Sequence, residues 1–489
     1  MDRTELDKLI TYVEENTRAD QVSGIEFIDP RNFRNKVKGK QNYVVFGRRG
    51  AGKSTLLKTL LEDSTVLTVY VNLEDFKDIT FPNIIIKVLL SFFDNIIEEL
   101  LHNRSFWGNR NYFKTNRLKK RIQDISSSLE QKLEAPDNYD KRNKTVRKSE
   151  ESESVGAKKG SLSGNFSSKI NDEVEMEHSW EINKLNELKT SLDKVKNLIK
   201  EIIGFNDKKI FLILDDFYFI PKKIQPFLLD YFHRLAKSNN FYLKIGTIKH
   251  RSHLYFQSEE SYIGMELNAD IYDIDLDYTL DKWNDLKKFK RELLNKAVLA
   301  SEAEIEIDSI FTENSFNQLC IASGGVPRDF LVLFIKCCQL VGDEKQTIAV
   351  PDVREVAIQN YLNKKKALEK DSLNESNILE SYINYFRDEV FLKKRTNVFL
   401  IENDSLNKAE NVGQVIKELV DLRFLHVIEN NTSAAPSDGK RYSAYLLDVS
   451  LYDNGRPRNF KEVEPDIQTN RQGVRGAPRV TTLKLTELH

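Results

Sequence analysis

Gly47-Arg48-Arg49-Gly50-Ala51-Gly52-Lys53-Ser54 constrains this chain more than any other stretch. It fits G-x-x-x-x-G-K-[ST], the phosphate-binding P-loop. The flanks agree with it. Tyr43-Val44-Val45-Phe46 reads as a buried parallel strand, and Thr55 to Leu61 as the helix that follows. Glycines let the backbone curl so that successive N–H groups converge on phosphate oxygens. The helix N-terminus adds partial positive charge. Gly47, Gly50, Ala51, Gly52, Lys53, Ser54 and Thr55 are therefore the candidate nucleotide-binding residues. Lys53 is expected to reach the β- and γ-phosphates and the Ser54 hydroxyl to ligate Mg²⁺, which makes ATP and Mg²⁺ the expected ligands.

A P-loop needs an acidic partner for the metal. Ile210-Phe211-Leu212-Ile213-Leu214 has no polar residue, as in a central parallel strand covered on both faces. It runs into Asp215-Asp216, at the carboxyl end where open α/β sheets bind ligands. Asp215 is the candidate metal residue. Asp216 is the candidate for orienting or deprotonating the attacking water.

At 489 residues the chain exceeds one ordinary domain, and two or three are expected. Lys and Arg total 74 against 75 Asp and Glu, so any nucleic-acid surface has to be a local patch. Cys320, Cys337 and Cys338 match neither a metal-ligand spacing nor a disulfide framework, which suits a reducing compartment. The N-terminus lacks an apolar signal core. The most apolar helix candidate, Ile84 to Leu101, carries Lys87, Asp94, Glu98 and Glu99, and so reads as a core helix, not a membrane span. The expectation is a cytoplasmic protein without membrane contact.

Strands alternating with helices predict a parallel α/β sheet. Further strands are expected at Val66–Leu73, Phe241–Ile248 and near Ile271–Leu276, with a helix over Gln225–Lys237. Residues 1–40 read as a lead-in and 41–280 as the α/β core, with a polar insertion near 104–180. Within that insertion, Ala135 to Ser179 reads as weakly structured, because it has few apolar residues to offset ordering entropy. Residues 281–350 read as a helical lid, 351–452 as helices ending in a β-hairpin, and 453–489 as an irregular Arg-containing tail.

This order of parts resembles the AAA+ ATPases, closest to the origin-recognition-like clade and the related STAND switches. The resemblance covers roughly residues 25–450 apart from the insertion. It implies a P-loop ATPase core with a helical lid and a C-terminal winged helix. Arg328, in Gly325-Val326-Pro327-Arg328, matches the lid arginine called sensor 2, which contacts the γ-phosphate and is taken here with Lys53 and Asp216 as catalytic. A guanidinium there is able to bind phosphate in bidentate fashion. Thr247, Lys249 and Arg251 remain open as sensor 1, and His250 is not expected to be catalytic. Many motors carry glutamate where this chain has Asp216, which implies slow turnover. The resemblance also leaves open a homo-oligomer with an arginine donated between subunits. Arg234 is better read as a solvated-face residue.

A DNA-reading winged helix exposes basic residues on its recognition helix. Here Val412, Val415, Ile416, Leu419 and Val420 are expected to face the core, leaving Asn411, Gln414, Lys417, Glu418 and Asp421 outside. Two of these are acidic, which repels phosphate. Arg423, Lys440, Arg441 and the tail arginines offer only backbone contacts. Double-stranded DNA and a protein effector both stay open as partners. The expected function is a Mg-ATP-driven switch of lid and winged-helix position, or else a nucleotide-gated interaction switch with little hydrolysis.

Overall fold

The computed structural model describes residues 3–17, 28–102, 112–134, 164–237, 239–257, 262–342, 347–371, 376–452, 456–465 and 481–483. Its centre is a five-stranded sheet. Strands β1 (Tyr43–Phe46), β2 (Val66–Asn72), β3 (Lys209–Asp215) and β4 (Phe241–Thr247) all pair in parallel. A short hairpin, β5 (Tyr255–Gln257) and β6 (Tyr262–Gly264), precedes the edge strand β7 (Tyr272–Asp275). The order is β2-β3-β4-β1-β7. Apolar runs form the inner strands because helices cover both faces. β4 lies between the P-loop strand and the acidic strand, so the carboxyl ends of β1 and β3 flank a crevice.

The insertion is more ordered than its composition implies. Helix Asn83–His102 packs on β2 and on helix Tyr112–Glu134, and helix Gly164–Asn206 packs on helices Tyr112–Glu134 and Gln225–Ala236. Leu118, Ile122, Leu129, Leu188, Val195, Leu198 and Ile202 join the same apolar core as Leu212 and Leu214. The expectation of weak structure to Ser179 is corrected from Gly164 onward. A helix anchored by a packed segment propagates at one hydrogen bond per added residue, and this stretch holds no proline. Residues 135–163 of that expectation lie outside the described residues.

The lid contains helices Trp283–Ala300, Glu313–Ala322 and Pro327–Val341. The N-terminal helix Arg3–Asn16 packs on the first and third of these, burying Leu6, Leu9 and Val13. The C-terminal region has antiparallel strands β8 (Val398–Glu402), β9 (Leu425–Thr432) and β10 (Tyr442–Leu447), ordered β8-β10-β9. Its helices Val350–Gln359, Tyr361–Asp371, Ser376–Phe386 and Glu410–Asp421 share one apolar core with the lid. The tail is not wholly irregular. Strand β11 (Thr481–Leu483) adds in parallel to the open edge of β8, and Val463 and Leu483 are buried. An unpaired strand edge recruits alternating residues such as Thr-Thr-Leu. Arg471, Arg475 and Arg479 lie outside the described residues. Among the described residues no helix is long and apolar enough to cross a membrane.

Candidate nucleotide site

The P-loop turns on two glycines in the left-handed region, Gly50 at φ 85° and Gly52 at φ 98°, and helix Lys53–Lys58 starts directly after them. Lys53 is buried. Its ammonium donates to the carbonyls of Gly47 at 3.0 Å and Arg48 at 3.3 Å, so it rests on the loop's own backbone. Burial pulls its pKa below the usual lysine value, opposed by Asp216, Asp215 and Asp277. Gly47 stands behind the loop, where a Cβ would lie 3.0 Å from that of Ala51. Arg48 turns inward: its N–H donates to Asp277 at 3.0 Å, and its guanidinium pairs with Asp277 at 3.3 Å and donates to the Tyr278 carbonyl.

At the end of β3 Asp215 is fully buried. Its Oδ2 accepts from the Tyr70 hydroxyl at 2.7 Å, and its Oδ1 from the Asp216 N–H at 2.9 Å. Asp216 takes φ 52°, rare for a residue with a side chain and common at functional sites. Burial first, then the Asp215 charge, pushes its carboxyl up to about 6, with Lys53 acting against the shift. A Cβ at Gly246 of β4 would sit 2.2 Å from Asp215 Oδ1. The Asp215 carboxylate fits only beside a glycine.

Arg328 is the second residue of the lid helix Pro327–Val341. Its N–H donates to the Gly50 carbonyl at 3.3 Å, and a Cβ on Gly50 would lie 2.8 Å from that of Arg328. P-loop and lid therefore touch. One cavity of about 1300 Å³ is lined by Gly50, Ala51, Gly52, Lys53, Ser54 and Thr55, together with Asp216 and Arg328. Gly47 and Asp215 lie behind that lining. The donor set suits Mg²⁺: the Ser54 hydroxyl and Asp215 carboxylate are hard oxygens, and phosphate and water complete such sites. Among the described residues no group of three His, Cys, Asp or Glu is built to hold a metal alone.

Several lining residues escaped sequence reasoning. Glu14 and Asn16 reach the cavity from the N-terminal helix, Thr17 from just beyond it, and Tyr70 and Asn72 from β2. The spacing of Tyr70 and Asn72, two apart at the end of an apolar strand, is the one available signal. None of Thr247, Lys249 and Arg251 lines the cavity. Thr247 is buried with its hydroxyl against Ser252, Lys249 pairs with Asp275 at 3.5 Å, and the Arg251 guanidinium lies 5.7 Å from the Tyr218 ring centre. Arg234 is half exposed and pairs with Asp230 at 2.9 Å.

The exposed face expected for helix Glu410–Asp421 is corrected. Glu418 and Asp421 are buried against the ATPase core, while Asn411 and Lys417 stay exposed. Asp421 accepts the His250 N–H at 3.2 Å, Gln414 donates to the His250 carbonyl at 2.9 Å, and Glu418 pairs with Lys222 at 2.6 Å. Just beyond the helix, Arg423 pairs with Asp329, the neighbour of Arg328, at 2.8 and 2.9 Å. His426 packs on Gly324, where a Cβ would meet the ring at 2.2 Å. Helical periodicity separates an apolar face from a polar one. It does not say whether the polar face meets water or another polar surface.

Comparison with known proteins adds three findings. A family model described as ORC-CDC6-like matches residues 15–318. No curated protein matches. Among solved structures, a Walker-type ATPase of Pyrococcus abyssi aligns at 13% identity over 89% of this chain and 98% of its own, with a TM-score of 0.38. The Aeropyrum pernix Orc1 protein, solved in complex with DNA, aligns at 13% identity over 93% of both chains, with a TM-score of 0.32.

Proposed function

The chain belongs to the ORC-CDC6-like family and is an ATP-binding AAA+ P-loop ATPase, and on that premise we propose that it is a slow ATP-driven switch whose output is the position of its winged helix. The observation that carries this reading is a shared contact. The first turn of the lid helix holds the γ-phosphate candidate Arg328 and, one residue on, the Asp329 that pairs with Arg423.

The P-loop backbone and Lys53 hold the phosphates, with Lys53 moving from the Gly47 and Arg48 carbonyls to the β- and γ-oxygens. Ser54 and Asp215 are the residues that would hold Mg²⁺, which would neutralise charge at the transferring phosphoryl group. Asp216 orients the attacking water and accepts its proton. Its short side chain sits farther back than glutamate would, which slows turnover. Arg328 draws the lid helix toward the γ-phosphate. That movement strains the Asp329–Arg423 pair, and the loop holding His250 loses its grip on Gln414 and Asp421. Nucleotide binding is thereby exchanged for a population shift of the winged helix.

The face so released carries Gln414, Glu418 and Asp421, and its two carboxylates suit a protein effector better than a phosphate backbone. The test is ATP turnover with and without duplex DNA, with Asp216→Asn as the blank. Slow turnover indifferent to DNA supports the protein-effector reading. A rate raised by DNA and returned to baseline by salt overturns it in favour of a DNA-associated ATPase. Turnover unaffected by Asp216→Asn removes the catalytic assignment.

A further inference from the structure

Strand β2 carries a side chain that the phosphate-site motifs do not include. Tyr70 lines the cavity, and Asp215 lies buried behind it. The phenol donates to Asp215 Oδ2 at 2.7 Å, while Asp215 Oδ1 is occupied by the Asp216 N–H at 2.9 Å. Ser54 of the P-loop lines the same cavity as Tyr70. Tyr70 thus donates directly to the strand-end carboxylate assigned to the metal. The ring is fixed within β2, opposite Ile213 of β3, with the Lys58 ammonium 5.6 Å from its centre.

We infer that Tyr70 is a positioning residue for Mg²⁺, acting through Asp215. Its phenolic hydrogen orients the carboxylate and leaves the remaining lone pairs of Asp215 for the metal or its water. Partners that orient ligands in this way are worth about 10–100-fold in metal affinity. The phosphates themselves are held elsewhere, by loop N–H groups and Lys53. This inference rests on the assignment of Asp215 to the metal in the proposed function.

Tyr70→Phe keeps the ring and deletes the hydroxyl. The probe is a fluorescent ADP, titrated against the full chain first in chelator and then at rising Mg²⁺. Wild-type protein that binds no ADP at any Mg²⁺ concentration would sink the nucleotide-site assignment itself, separately from Tyr70. With wild-type binding in hand, Tyr70→Phe is expected to match it in chelator and to need about tenfold more Mg²⁺ for half-maximal tightening. Superimposable Mg²⁺ curves overturn the inference, because the hydroxyl is then idle. Equal losses with and without Mg²⁺, or a chain that does not fold, also overturn it and assign the hydroxyl to stability.

Discussion

Gly246 shows how tightly the acidic strand end is built. An added methyl there would also lie 2.8 Å from Leu57 Cδ1, so it has no free direction. Gly246→Ala is expected to cost about 1–3 kcal/mol, read as a lower urea midpoint. It should also weaken ADP binding more in Mg²⁺ than in chelator. Lys290 of the lid is a second crowded site. It is fully buried, and burial lowers its pKa to about 7 from 10.5. The folded value lies below the unfolded one, so the penalty is absent above pH 10.5, grows as pH falls and is complete below about 7. Lys290→Met should therefore raise the melting temperature by about 2–4 °C or more at pH 7 and lose that advantage at high pH. A scan showing no gain at pH 7 would mean that the ammonium has polar company its surroundings do not show.

At the scale of the element, helix Glu410–Asp421 is amphipathic in the ordinary way but uses its polar face inward. Burial, reinforced by Asp277, pushes Asp421 up to about 7, while Arg48, Arg251 and the His250 N–H favour its ionised form. His250 itself is lowered to about 4 by burial and by Lys417 and Lys249, so it is neutral near pH 7. For Asp421 the folded value exceeds the unfolded one. Its contribution is complete below the ordinary aspartate value of 3.8 and is lost as pH rises through about 7. Docking of this helix should loosen between roughly pH 4 and 7, and Asp421→Asn should flatten that dependence. Thermal melts of both proteins across the interval provide the check. Parallel curves would show that another group titrates.

The whole molecule is held by a core that does not stop at the lid. Leu6, Phe330, Phe399 and Leu446 belong to one apolar cluster, so the N-terminal helix, lid and C-terminal region are linked through it. The Arg423–Asp329 pair ties the C-terminal region to the first turn of the lid helix, beside the cavity residue Arg328. Asp329 is only partly buried, so losing its partner costs about 1–3 kcal/mol, and Arg423→Ala should loosen the C-terminal region without nucleotide. Limited proteolysis should then cut within residues 403–423 faster than in the wild type. A non-hydrolysable ATP analogue should produce the same cuts in the wild-type chain. If the analogue leaves the wild-type pattern as it is without nucleotide, the switch reading is wrong even though nucleotide binds.

The P-loop, the acidic strand end and the parallel sheet were legible in the sequence because each is a local device. A tight glycine turn, an apolar strand and a helix start are all set within a dozen residues of Lys53 or Asp215. The arginine at the lid start was legible for the same reason, through Pro327 at the head of a helix. What only the tertiary structure decided is which groups face one another. Tyr70 reaches Asp215, 145 positions away in the chain, because β2 lies beside β3. Glu418 and Asp421 turn inward because the core offers the His250 backbone and Lys222. Periodicity records that a face is polar, and burial depends on the partner that fold topology brings to it.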